Sequence, residues 1–189
     1  MKTTDPKEYM EIVSDCLNSL NFENIYALSR AIHGTIPQDQ TVFVVGNGGS
    51  AATASHFAQD LAKNSIVPGK QRLRVLSLTD NVSWLTALAN DISYDAIFRE
   101  QLLNLAKPGD LFIGISVSGN SKNVIEAAKI AEVLAIRRWC LVGGTWGELS
   151  NICPSVIHVS SKDFGVVESV HSTILHWVVD EVRRLIEGR

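Results

Sequence analysis

Cysteine is scarce. The chain has three among 189 residues, at Cys16, Cys140 and Cys153, with no CxxC or zinc-ribbon spacing. An odd number of widely spaced thiols suits a reducing cytoplasm better than a disulfide framework. Cys140, inside the apolar run WCLVG, reads as a buried thiol. Basic residues form no block, and the net charge is −3, so the positive stripe needed for a nucleic-acid backbone is missing. No apolar run approaches the ~18 residues of a membrane span. The opening MKTTDPKEYMEIVSDC lacks the charged start and apolar run of a signal peptide. The expectation is a cytoplasmic protein with no membrane and no nucleic-acid partner.

What is present is a core. Hydrophobic residues make up 46% of the chain, enough for one domain over 1–189. Residues 6–33 carry apolar positions at helical spacing and predict one or two leading helices. Beyond Pro37 the pattern alternates. Continuous apolar runs at 41–46, 72–78, 111–116, 138–144 and 156–161 predict strands. Residues 50–63, 120–135 and 166–187 predict helices, with short ones in 81–105 around Asn90-Asp91. Buried strands separated by helices indicate a parallel sheet covered on both faces, a three-layer αβα sandwich of the α/β class. In such folds ligands sit beyond the carboxyl ends of the strands. The unusual sequence lies in those loops.

The first loop is Gly46-Asn47-Gly48-Gly49-Ser50-Ala51. It satisfies a relaxed GxGxxA, yet the acid expected ~20 residues later arrives late, which weighs against NAD. No Gly-Lys-Ser/Thr follows, so it is not an ATP-binding Walker loop. The second loop, Ser116-Val117-Ser118-Gly119-Asn120-Ser121, again joins a strand to a helix. Its hydroxyls and the free N–H groups of the helix start favour a phosphate. With no lysine or arginine inside it, a sugar monophosphate suits it better than a triphosphate. Simple N-capping by Ser118 or Asn120 accounts for one serine more readily than for three.

Together, GNGGSAATASHFAQDL and GISVSGNSKNVIEAA resemble the sugar isomerase (SIS) domain family, and within it the phosphoheptose isomerases. The resemblance runs through TDNVSWLTALANDISYDAIF to VESVHSTILHWVVDEV. It implies a five-stranded parallel αβα sandwich of flavodoxin-like form, with helices 6–33 used in oligomerisation. It also implies a homotetramer with active sites between subunits, acting on a phosphorylated sugar. Ser116, Ser118 and Ser121, with Val117 and Asn120, would hold the phosphate. Asn47, Gly48, Gly49, Ser50, Asn90, Asp91 and Glu168 would face the sugar. The family's catalytic glutamate and histidine fall on Asp60 and His176. The positions that bind zinc in some members fall on His56, Asp60, Glu168 and His176. Three departures stand out: Asp60 replaces a glutamate, Glu168 replaces a glutamine, and Lys63-Asn64 stands where an arginine is frequent.

The residue pattern agrees with such chemistry. Aldose–ketose isomerisation through an enediol needs a base at carbon and an acid-base group at the oxygens. His56 and Asp60 share a helix face, as do Glu168, Ser172 and His176. Two facing helices would bring His56, Asp60, Glu168 and His176 together as two imidazoles and two carboxylates, a metal set. His171 lies off that stripe, a candidate for substrate or a subunit contact. His33 and His158 read as structural. Trp84, Trp139, Trp146 and Trp177 read as core or interface aromatics, and EVRRLIEGR as a solvated helix end. The expected reaction is isomerisation of sedoheptulose 7-phosphate to a heptose 7-phosphate. The rivals are a non-catalytic SIS protein that binds a sugar phosphate or a partner such as a replication initiator, and an isomerase for another phosphosugar.

Overall fold

The apolar runs become five parallel strands in one sheet. They are β1 (Thr41–Gly46), β2 (Arg74–Ser77), β3 (Leu111–Ser116), β4 (Arg137–Gly143) and β5 (Ser155–Val159). Their order is β2-β1-β3-β4-β5, so the winding reverses between β1 and β3, where a crevice opens. The computed structural model describes residues 5–189. The first four residues of MKTTDPKEYMEIVSDC lie outside them.

Side chains alternate across the pleat. Val42 and Val44 of β1 join one core, and Phe43 and Val45 join the other. The first core is closed by α1 (Pro6–Asn18), α2 (Phe22–His33), α3 (Gly49–Asn64) and the long α8 (Phe164–Glu187). The second is closed by α5 (Arg99–Leu105), α6 (Lys122–Val133) and the short α7 (Leu149–Ile152). The leading segment is thus two helices, each N-capped by a side chain, Asp5 and Asn21. The helix α4 (Val82–Asp91) differs: none of its residues is buried. No helix among the described residues is long and apolar enough to cross a membrane.

Some expectations shift. The end of α8 is not simply solvated: Val182 and Ile186 are buried, and Glu181 accepts two bonds from Arg184 at 2.8 and 3.0 Å. Trp139 is buried, whereas Trp146 and Trp177 are exposed. His171 is neither at a ligand surface nor at a subunit contact; it lies inside the first layer of the fold at 1% exposure. Both ring nitrogens lack a hydrogen-bond partner. The main chain of Val142 eases the loss without reaching bonding geometry. Burial is the larger cause, and nearby His158 adds to it, holding the His171 pKa down at about 4.

This makes the fold acid-labile. Between pH 6.5 and about 4 the unfolded chain takes up a proton at His171 that the folded chain refuses. Stability therefore falls as the pH drops through that window, by on the order of 3 kcal/mol. Replacing the unpartnered ring by an apolar side chain, His171→Leu, should flatten this acid limb. Urea unfolding of both proteins at pH 7 and pH 4.5 measures it: the wild type should lose more stability than the variant.

Candidate active site

At the carboxyl ends of β1 and β3 the two loops lie side by side and are tied together. Asn47 Nδ2 donates to Asn123 Oδ1 at 2.8 Å, and Asn123 Nδ2 donates back to Asn47 Oδ1 at 2.9 Å. Tyr94, from a turn after α4, adds its hydroxyl to Asn47 Oδ1 at 3.0 Å. Asn123 is 1% exposed and also accepts from the Val124 amide at 3.0 Å. A buried side-chain amide needs such partners on both ends. Neither Asn123 nor Tyr94 was singled out by the sequence; the signal for Asn123 is its place in the first turn of α6.

The second loop is built to leave donors free. Ser116 Oγ donates to Ser121 Oγ at 3.0 Å. The side chain of Ser121, at the N-cap of α6, makes no capping bond to the helix. The first turn of α6 therefore keeps amides available for an anion. The Asn120 amide donates to Ser118 Oγ at 3.1 Å, and Asn120 Oδ1 accepts from the Glu148 amide at 3.0 Å. Val117 is buried, while Ser118 and Asn120 are exposed. Gly119 has φ +66°, and a Cβ there would collide with the Trp146 carbonyl. The loop after β4 thus packs directly on the serine loop. Trp146 stacks on His158 with ring centres 4.0 Å apart.

The first loop opens α3 with Gly48 at the N-cap and no side-chain cap. Asn47 is half-buried, Gly48 and Gly49 are exposed, and Ser50 is buried beneath the turn. The carboxylate of Glu168 lies over Gly49, where any Cβ would collide with it. A carboxylate is at home at the positive end of a helix. Asn90 and Asp91, at the end of α4, bond to one another at 2.8 Å.

Below the loops α3 packs against α8. Asp60 Oδ2 lies 3.4 Å from His56 Nε2 and 3.4 Å from His176 Nδ1. The imidazoles meet edge to face with centres 5.0 Å apart. Asn64 Nδ2 holds the other Asp60 oxygen at 3.2 Å. The acid is largely covered, its side chain 14% exposed against 57% for each histidine. Thr53, Phe57, Ser172 and Leu175 complete a cleft of about 10 Å³, room for one water or one ion.

One ligand atom from each of His56, Asp60 and His176 lies within 4.8 Å of the others. Two imidazoles and a carboxylate suit a divalent transition metal. Glu168 is not part of this set, because it stands about 12 Å further up α8 with its carboxylate against Gly49. Facing helices assemble three of the four residues grouped from the sequence, and the fourth serves the loop.

Comparison with known proteins shows the family. The SIS domain pattern matches residues 8–137. The chain is 37% identical over 92% of its length to a Thermoplasma acidophilum protein named "Probable phosphoheptose isomerase", covering 95% of that protein. It is 39% identical over 77% of its length to a Mycobacterium tuberculosis phosphoheptose isomerase, covering 74% of it. The solved phosphoheptose isomerase of Neisseria gonorrhoeae superposes with a TM-score of 0.85 at 28% identity, over 97% of this chain and 95% of that one. With the matched pattern spanning most of the sheet and the glycine and serine loops in place, the chain belongs to the SIS domain family and, within it, to the phosphoheptose isomerases.

Proposed function

We propose that the protein isomerises sedoheptulose 7-phosphate to a heptose 7-phosphate through an enediol. The observation that carries this reading is Asp60, one carboxylate shared by two histidines beside a pair of joined ligand loops. The phosphate enters the second loop, taking bonds from the hydroxyls of Ser116, Ser118 and Ser121. Val117 and Asn120 shape that turn. Asn47, Gly48, Gly49 and Ser50 face the hydroxyls near the reacting end, with Glu168 above them and Asn90 and Asp91 at its rim.

The proton balance closes with two groups. Asp60 takes a proton from C1 while His176 gives one to the oxygen on C2, forming the enediol. His176 then withdraws the proton from the oxygen on C1, and Asp60 returns its proton to C2. A histidine suits the oxygen steps because it titrates near neutral pH. His56 braces Asp60. In an alternative, metal-loaded state the same three residues would hold one zinc ion per subunit. Bound there, the metal would polarise the sugar oxygens.

The assembly we infer is a homotetramer with active sites between subunits, built from the single domain 1–189. His56 and His176 are exposed on the open side of the cleft, where a second subunit would complete the site. The half-exposed α4 and the exposed Phe22 and Tyr26 of α2, with Trp177 of α8 against Tyr26, supply surface for it. The setting is the cytoplasm, in keeping with three free buried thiols.

Asp60→Asn and His176→Gln should each lower kcat by about 10²- to 10⁴-fold in an assay with sedoheptulose 7-phosphate. Normal turnover in both variants would remove them from the reaction. Ser116→Ala and Ser121→Ala should instead act mainly on KM, raising it roughly tenfold or more through the lost bonds to a charged phosphate. An unchanged KM in both would move the phosphate elsewhere.

A further inference from the structure

Two helices begin at the same crevice, yet only one start is open to an anion. At α6 the side chain of the N-cap Ser121 leaves the amides of Lys122 and Asn123 uncapped. At α3, Gly48 leaves them uncapped as well, but Glu168 reaches across from α8 and sets its carboxylate over Gly49. The two starts are joined by the Asn47–Asn123 pair, so a sugar phosphate meets both. By geometry alone either could receive a phosphate. Charge separates them.

We propose that Glu168 is a charge filter that sets substrate specificity and binding direction. It bars a phosphate from the glycine loop, so that only an unphosphorylated end of the sugar lies there and the phosphate goes to the serine loop. The inference rests on the proposed reaction and adds to it: the protein accepts ketose 7-monophosphates and rejects ketose 1,7-bisphosphates. The half-buried carboxylate stands within a few ångströms of the loop's ligand side, where a second phosphate would meet it as a like charge. Glycine at 49 is what admits the carboxylate, since any side chain at that position would displace it.

The test is calorimetric binding of sedoheptulose 7-phosphate and sedoheptulose 1,7-bisphosphate to the wild type, Glu168→Gln and Glu168→Asp. The wild type should bind the monophosphate more tightly. Glu168→Gln should narrow the ratio of the two affinities by about tenfold, a repulsion reasonable for like charges some 6 Å apart in a partly solvated site. Glu168→Asp, which keeps the charge, should preserve most of the ratio. In the wild type alone, raising the salt concentration should shrink the discrimination, a check that does not depend on any variant folding. Monophosphate binding with a ratio unchanged in Glu168→Gln, or one indifferent to salt, overturns the filter. Failure of the wild type to bind the monophosphate overturns the proposed reaction, and the filter with it.

Discussion

Two side-chain amides hold the ligand end of this protein in register. Asn47 follows β1 and Asn123 opens α6 after β3, and their reciprocal bonds fix the distance between the two loops. The sheet makes the meeting possible, because β1 and β3 are neighbours at the point where the winding reverses. The amides make it specific. Asn123 is buried, so each of its bonds carries the cost of leaving an amide unpaired if broken. The start of α6, the glycine turn above α3 and Tyr94, bonded to Asn47, are all placed relative to this pair.

Below that tie, α8 acts as a ruler. Its core face packs Val166, Val170, Ile174 and Val178 against the sheet. The adjoining face carries Glu168, Ser172 and His176 at four-residue intervals. One helix thus delivers a carboxylate to the glycine loop and an imidazole to Asp60, about 12 Å apart. The shorter acid at position 60 is matched by its surroundings. Asn64 fixes one oxygen and two histidines share the other, so Asp60 is held by neighbours on both helices. In the proposed reaction, the division of labour between phosphate end and reacting end follows from where α8 puts its charges.

Much of the fold was legible because its central strands β1 and β3 are buried on both faces. Continuous Val, Ile and Leu leave no other reading, and the bounds of β1 and β3 match the apolar runs. The glycine and serine loops were legible because their composition makes little sense except at strand-to-helix turns. What the sequence could not reveal depends on which side chains meet across the fold. Asn123 is an ordinary first-turn residue until Asn47 faces it. Glu168 shares a helical stripe with His176, which grouped it with the metal set, but helical spacing says nothing of a glycine one layer away. His171 is a polar residue in an apolar helix, and only the packed structure shows that its ring is enclosed without a partner. The short α7 has too few residues for a period to register.

The central claim is that a proton moves between neighbouring carbons of the bound sugar at Asp60. Incubating the protein with sedoheptulose 7-phosphate in deuterated water and reading the sugar by NMR tests it most directly. The account expects deuterium at C1 of the ketose and at C2 of the aldose formed from it. A sugar that binds the protein and leaves unconverted, with no aldose formed and no label at either carbon, would contradict it.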